Sequence, residues 1–518
     1  MRRIVAIALS SLRLTLVRQR SPELESVTLA IVIARSDRKL QDERAILGST
    51  RLDEVDPRAQ HSGVVIGHTV AQARAKVPDL AVRVVHESDA QEALESLAET
   101  MLAFGATTSI LRERDTILVD VTGCAHLHAP SAEDGIPGEI ALAAQIAESV
   151  RALGYDGAIA LADGPERAWA CARFIAAQRP PSKTGTRALV IAPGDERPAT
   201  AALTVAALRL DDATTDWLVR IGVRTLGDLV KLPRSSLAAR LGPDARRVFA
   251  LLDGREATPL VRFEPKEIIS ERVDLDYGAE SIEPLLFVLK NLTVRVASRL
   301  AGRARSASKL DVVFGLDHAL LPPGDTERLR TVSIPLPLAL HRSDDLFTVL
   351  RARLERAAAF AAPVLSVTLL VPELVIREQK ERSLFQAESR AETTLGPLVA
   401  ELGALLGPDA VGKLVPVARW RAEERSRLVP FSAKDASFAG AAGKRRVLTA
   451  AREPLRWLPQ AETCPEATPI AHLLRIESVE WWRSDAPLAS DRLLAFVEGA
   501  LVIVDVDARG AHLRSFAD

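Results

Sequence analysis

The sequence predicts a multidomain protein in which an α/β region is followed by a separate α+β module. Three observations carry this. Short apolar runs alternate with helical periodicities from the start of the chain to about residue 180, the pattern of strands covered by helices. Residues 268 to 372 read β-α-β-β-α-β, a split βαβ unit of domain size. The length, 518 residues, accommodates roughly three to four domains.

The first region is organised around Asp115-Thr-Ile-Leu-Val-Asp-Val-Thr-Gly-Cys-Ala-His-Leu127. Ile117, Leu118 and Val119 form an apolar run between polar residues, and Gly123 supplies a turn, so this is a buried strand with Asp115 at its entry and Asp120 at its exit. A second apolar strand, Arg3 to Leu9, opens the chain. Pairing of the two would bring Ala8 close to Asp115 at one sheet end. In nucleotidyl transfer, clustered carboxylates at such a sheet end hold two magnesium ions. Here that cluster is incomplete.

In chain order, residues 21 to 60 mix charged and apolar residues without strong periodicity. A turn at Ser62 to Gly67 precedes a short helix capped by Thr69 and stopped at Pro78. Val82 to Val85 reads as a strand. Ala90 to Phe104 reads as a helix with Leu94, Leu97, Met101 and Leu102 on one side. After the organising strand come a helix over Glu139 to Leu153, a strand at Gly157 to Leu161 and a helix over Pro165 to Ala177. The loop Gln178 to Gly185 marks a boundary, and residues 200 to 260 are helical in pattern. In the split βαβ unit the elements are Ile268–Leu275, Ile282–Leu300, Leu310–Leu316, Val332–Leu336, Asp344–Ala358 and Leu365–Val371. Arg377 to Thr393 is a charged linker, Leu395 to Leu406 a short helix, and much of 408 to 470 is irregular. A small β unit is expected from Ser478 through Trp482, Leu493–Val497 and Leu501–Val506.

Composition narrows the function classes. Hydrophobic residues make up 47% and charged residues 26%, with a net charge of -1, so any nucleic-acid contact must come from local patches. Cys124, Cys171 and Cys464 lie far apart without metal-ligand spacing, which fits a reducing, cytoplasmic setting. Arg2-Arg3 and the following apolar run look like a leader. Arg13 interrupts the run and no small-residue cleavage site follows, so a strand of a cytoplasmic domain is expected. No apolar stretch is long enough to cross a membrane. P-loop, HExxH, nucleophile-elbow and Ser/His/Asp patterns are absent from the sequence.

Three features carry binding chemistry. Leu218 to Pro233 is a helix-hairpin-helix pattern. One helix ends at Gly222, the turn runs through Val223 and Arg224, and Thr225 caps a helix bearing Gly227, Leu226, Leu229 and Val230. Such a turn offers backbone N–H groups to a DNA phosphate without reading sequence; the plainer alternative is a packed αα-hairpin. Arg295, Arg299 and Arg303, at i, i+4 and i+8, share a helix face suited to a phosphate backbone, or are a solvated basic face. Glu381-Arg-Ser383-Leu384-Phe385 places two large apolar anchors in a polar linker, as a docking peptide does, although an incidental apolar pair reads the same. Asp163-Gly-Pro reads as a helix N-cap, Lys444-Arg-Arg446 as an exposed basic turn and Trp481-Trp482 as core.

The order of these parts resembles the Y-family (DinB/UmuC-type) translesion DNA polymerases, and among them the non-catalytic ImuB branch, the adaptors of bacterial mutasomes. Gly63 to Gly67 with Ala71 to Pro78, Val119 to Leu127, and the hairpin Ile221 to Leu232 carry the resemblance, which covers most of the chain to about residue 420. It implies a palm (residues 1–10 and 83–184), fingers (11–82), a helix-hairpin-helix thumb (185–262), a little finger (263–375), a linker with a clamp-binding motif (376–394) and a C-terminal partner-binding region (395–518). Several positions depart from the active members. Their first metal-binding Asp falls at Ala8 and the neighbouring acidic position at Ser10. Their sugar-screening aromatic falls near Leu12 or Arg13, and their triphosphate-holding Tyr and Arg fall near Pro57 and Gln60. Asp115 survives but its Glu partner becomes Thr116, and the lysine expected after Leu161 is missing. One carboxylate does not assemble a two-metal site.

The resemblance therefore implies an adaptor without catalytic residues, metal or cofactor. Its DNA contacts are expected at Gly222, Val223, Arg224, Thr225, Gly227, Arg295, Arg299 and Arg303, on primer-template DNA. Its sliding-clamp contacts are expected at Ser383, Leu384 and Phe385, with Glu381 and Arg382 departing from the usual Gln and Leu. Its tail is expected to meet a RecA-like accessory protein and an error-prone C-family DNA polymerase. The alternatives are an active lesion-bypass polymerase using Asp115 and Asp120, and a scaffold that binds only proteins.

Overall fold

A computed structural model describes residues 2–9, 11–34, 46–128, 136–178, 187–256, 259–322, 324, 327–356, 360–377, 398–403, 406–417, 426–431, 456–464, 467–477 and 489–516. The chain divides into two compact units, residues 1–384 and 385–518. The clamp-motif residues Ser383, Leu384 and Phe385, the basic turn at Lys444 and the Trp481-Trp482 pair lie outside the described residues.

The first unit is built on a five-stranded sheet. Its order is Thr107–Leu111, Thr116–Asp120, Arg3–Leu9, Gly157–Asp163 and Arg187–Val190. The opening strand pairs antiparallel with the organising strand, with Val5 opposite Val119 and Ile7 opposite Ile117. Alternate residues point to opposite faces, and both faces are covered, which explains apolar runs without polar alternation. Val5, Ile7, Ile117 and Val119 pack on Leu94, Leu97 and Met101 of helix Glu87–Met101 and on Leu142 and Ile146 of helix Ile136–Ala152. Ile4, Ala6 and Leu118 face Trp169 of helix Pro165–Phe174 and the apolar core of the helical stretch beyond it. Arg187–Val190 completes the sheet by pairing parallel with Gly157–Asp163. The sheet thus extends past the loop at 178–185 that the sequence suggested as a boundary.

Several elements were not legible in the sequence, two of them near its start. Leu12–Arg20 is a helix that buries Leu12, Leu14, Leu16 and Val17. Leu29–Ala34 is a strand buried at all six positions, so it shows no alternation. It is the middle strand of a small sheet with Glu54–Val55 and Ala81–His86. The helix expected after Thr69 is present as Val70–Lys76, with a reciprocal Thr69–Gln72 capping box.

The β-α-β-β-α-β order is present as Ile269–Ala279, Ile282–Gly302, Arg305–Leu316, Leu329–Leu340, Ser343–Leu354 and Val364–Ile376. Its four strands form one antiparallel sheet with Arg305–Leu316 and Val364–Ile376 in the middle. No helix among the described residues is long and apolar enough to cross a membrane.

The second unit holds a five-stranded antiparallel sheet, ordered Arg456–Thr463, Gly510–Phe516, Ala500–Asp507, Ala489–Val497 and Thr468–Glu477. Arg456–Thr463 falls within the stretch expected to be largely irregular, and Thr468–Glu477 begins at its end. A buried ion pair anchors the sheet: Arg492 meets both oxygens of Asp505 at 2.7 and 2.8 Å, and Arg514 Nε adds a contact at 2.9 Å.

Candidate nucleic-acid interface

The two central strands meet as the sequence suggested, with Ala8 opposite Thr116 and Leu9 N–H donating to the Asp115 carbonyl at 3.0 Å. Asp115 itself sits in the left-handed region, φ 44°, where the chain turns from the preceding 3-10 segment into the strand. Beside it stands an arginine. Arg13, from helix Leu12–Arg20, places Nη1 2.7 Å from Asp115 Oδ2 and Nη2 3.0 Å from Glu87 Oε1. Burial works against the Arg13 charge, but Asp115 and Glu87 outweigh it and hold its pKa above the ordinary value.

Glu54 completes this group. Burial raises its carboxyl to about 7 although Arg13 pulls it down, and the charge of Asp115 adds to the rise. Its Oε1 is buried without a hydrogen-bond partner. One guanidinium is thus shared among carboxylates that compete for it. Asp120 takes no part, because it lies at the other end of the strand, opposite Ile4. Its Oδ1 accepts from the Thr122 amide and hydroxyl at 3.1 and 2.6 Å and shapes the following turn. Among the described residues, no group of three or more His, Cys, Asp or Glu is placed to hold a metal ion.

The helix-hairpin-helix is present as Asp212–Arg220 and Leu226–Val230. Gly222 turns the chain at φ 89°, a conformation that side chains with a Cβ resist. The expectation of outward N–H groups is corrected at Gly222, Val223 and Thr225, and the N–H of neighbouring Leu226 is also used internally. Gly222 N–H donates to the Val219 carbonyl and Val223 N–H to the Leu218 carbonyl, both at 3.0 Å. Thr225 N–H donates to Asp228 at 3.2 Å within a capping box, and Leu226 N–H donates to the Leu203 carbonyl at 2.8 Å. The first pair closes the preceding helix, and the second pair opens the next one and ties it to its neighbour. Gly227 packs against Ala201, whose carbonyl lies 3.1 Å from where a Cβ would stand. What the turn presents outward is the exposed side chain of Arg224.

The arginine stripe is a further correction. Arg295, Arg299 and Arg303 do share a face of helix Ile282–Gly302, but the face is turned onto helix Glu87–Met101 rather than towards solvent. Arg299 is 6% and Glu99 1% exposed. Arg299 Nη2 lies 3.0 Å from Glu99 and Nη1 2.7 Å from Glu271. Arg303 Nε meets Glu99 at 2.6 Å, and Arg295 bonds to Gln19. Glu271 and Glu99 overcome the burial of Arg299 and raise its pKa. The helices come so close that a Cβ on Gly302 would lie 2.1 Å from the Glu99 carbonyl. Periodicity showed a common face; it could not show the carboxylates waiting for it, because Glu99 and Glu271 come from distant segments.

Asp163-Gly-Pro also differs from its expected role. Gly164 is the N-cap of helix Pro165–Phe174, with no side-chain cap bond of its own, and Asp163 instead meets Arg3 at 3.1 Å. The helix start is capped by Glu256, whose Oε2 accepts from Glu166 N–H at 2.9 Å.

No protein-family model matches the chain. It is 28% identical over 374 residues, 71% of its own length and 73% of theirs, to the proteins named ImuB from two strains of Caulobacter vibrioides. Among solved structures it aligns with an insertion ternary complex of Dbh DNA polymerase at a TM-score of 0.41 and 14% identity, covering 72% of this chain and 99% of that one. It also aligns with DinB from Sulfolobus solfataricus at a TM-score of 0.39 and 13% identity, covering 73% and 100%. The sequence similarity to ImuB agrees with the resemblance carried by Val119 to Leu127 and the hairpin.

Proposed function

We propose that this chain, similar over most of its length to ImuB proteins, is a non-catalytic relative of the Y-family polymerases that acts as an adaptor in translesion synthesis. In this reading the five-stranded sheet corresponds to the palm, residues 11–82 to the fingers, the hairpin helices to the thumb and the β-α-β-β-α-β unit to the little finger. The protein holds primer-template DNA, engages a sliding clamp through Ser383, Leu384 and Phe385, and uses its C-terminal region to recruit a RecA-like accessory protein and an error-prone C-family polymerase. Arg224 at the hairpin turn is the DNA contact this geometry favours, with Gly222, Val223, Thr225 and Gly227 shaping the turn around it.

The observation that carries the loss of catalysis is the pair Arg13–Asp115. The residues at the sheet end do not fit two divalent ions. Ala8 and Thr116 offer no carboxylate there, and Asp115, with Glu87 and Glu54 beside it, is already bound at 2.7 Å by the guanidinium they share. A fixed cation at that distance competes directly with a metal for the same oxygen ligands. The test is primer extension by the purified protein with Mg²⁺ or Mn²⁺, with binding to primed DNA measured on the same sample. Binding without extension supports the adaptor. Extension that disappears in Asp115→Ala establishes an active polymerase instead.

A further inference from the structure

The positive charge that the basic stripe was expected to offer is gathered elsewhere. Arg114, Arg173, Arg209 and Arg247 come from four separate segments: the turn ahead of strand Thr116–Asp120, helix Pro165–Phe174, the bend after Val205–Leu208, and helix Ala245–Asp253. Arg114 and Arg209 lie over Trp169, Arg247 sits beside Arg209, and the charge of Arg173 acts on Arg114. The Arg114 guanidinium lies 4.4 Å and that of Arg209 5.8 Å from the centroid of its ring. Arg209 pairs with Glu166, Arg247 Nη1 reaches the same carboxylate at 3.9 Å, and Arg247 Nη2 donates to the Arg209 carbonyl at 3.3 Å.

Carboxylates face this group from several sides, and Arg173 is faced in addition by Asp115 and Glu54. Glu166 is shared between two arginines. Asp244 serves Arg247 at 2.9 Å, and Glu113 is beside Arg114. Glu256 is raised by burial to about 7, so near neutral pH it carries only part of its charge. Repulsion between the arginines is the result. Burial, then Arg247 and Arg114, bring Arg209 down to about 10. Arg114 is lowered by burial and, against Glu113, by Arg247 and Arg173. Two donors here, Arg209 Nε and Trp169 Nε1, are buried without a hydrogen-bond partner, and Arg209 holds a left-handed backbone at φ 53°. Like charges gathered on a strained segment with unspent donors fit an anion that is bound in function.

We propose that Arg114, Arg209 and Arg247 form a phosphate-binding site for the backbone of a nucleic-acid strand, and that it works without a metal ion. The charge of Arg173 acts on both Arg114 and Asp115. Guanidinium forks supply at this junction the positive charge that divalent ions supply where carboxylates are present. The inference rests on the DNA-binding reading above and gives it a location other than the stripe on helix Ile282–Gly302.

The test is binding of the full chain to primed duplex DNA in EDTA across a salt series, with Arg114→Gln/Arg247→Gln compared with the charge-matched control Lys290→Gln/Arg351→Gln. The double variant should bind about ten-fold more weakly or worse and lose roughly one to two units of the slope of log affinity against log salt. Arg114→Lys with Arg247→Lys should recover most of the slope, which separates charge from a folding defect. Wild-type binding with an unchanged slope in the Gln variant overturns the site and leaves the adaptor reading standing. If wild type does not bind DNA, the melting temperature with inorganic phosphate and with a deoxynucleoside triphosphate decides. Stabilisation lost in the Gln variant keeps the phosphate site, with a free anion as its ligand, and overturns the DNA reading. No stabilisation overturns both.

Discussion

Arg13 and Asp115, 102 residues apart in sequence, meet at 2.7 Å at the end of the central strands. The contact joins the first helix of the chain to the turn entering the organising strand. Arg13→Ala removes the cation shared by Asp115, Glu87 and Glu54 and leaves half-buried carboxylates facing one another. Breaking one side of such a group costs about 3 kcal/mol, read as a lower denaturant midpoint. An Arg13→Ala protein as stable as wild type would show that the pair contributes little.

Two strongly raised carboxyls make stability depend on pH. Glu54 and Glu256 have folded pKa values of about 7, above the ordinary 4.5. Between those values the folded state holds protons that the unfolded chain releases, so stability falls as pH rises from about 4.5 and levels off above about 7. Each group accounts for at most about 3 kcal/mol of that fall. Glu54→Gln and Glu256→Gln should each flatten the decline in melting temperature between pH 5 and 8, and an unchanged profile would contradict the raised values.

The interface between helices Glu87–Met101 and Ile282–Gly302 has no room at Gly302, where a Cβ would stand 2.1 Å from the Glu99 backbone carbonyl. Gly302→Val should therefore separate the helices and expose Arg299. Increased proteolysis near residues 257 to 267, with the β-α-β-β-α-β unit still folded, is the expected outcome. Glu99→Ala should act in the same direction by leaving Arg299 and Arg303 without their shared carboxylate, at about 3 kcal/mol. Unaltered proteolysis in both variants would show that the docking does not depend on this contact.

At the hairpin turn nothing lies within 4 Å of a Cβ placed on Gly222, so the cost of Gly222→Ala is backbone strain alone, about 1 kcal/mol. Arg224→Ala disturbs no backbone and should leave stability unchanged while weakening binding to primed DNA and reducing its salt slope by about one. Equal binding by wild type and Arg224→Ala would remove the turn from the DNA contact.

Clamp engagement is testable without a structure of the linker. Leu384→Ala with Phe385→Ala should abolish capture of the protein by immobilised sliding clamp and leave DNA binding intact. Capture that persists would place the clamp contact elsewhere.

What the sequence determined by itself is what depends on neighbours along the chain. The pairing of Arg3–Leu9 with the strand after Asp115 followed from two apolar runs. The Thr69 and Thr225 caps followed from threonines standing just ahead of helical patterns, and the β-α-β-β-α-β order followed from alternating periodicities. Local hydrophobic pattern and capping are short-range physics, so they can be read from a window of residues. Leu29–Ala34, an apolar run of the same kind, was passed over because residues 21 to 60 as a whole mix charged and apolar residues without strong periodicity.

Only the tertiary structure decided which charges are spent inside the protein and which remain for a ligand. The spacing of Arg295, Arg299 and Arg303 was correct as geometry, yet Glu99 and Glu271 neutralise the face. Arg114, Arg209 and Arg247 had no spacing to notice, yet the first two lie over Trp169 and the third sits beside Arg209. A side chain's charge is compensated by whatever the fold brings within a few ångströms, and that partner can lie two hundred residues away, as Glu99 does from Arg299.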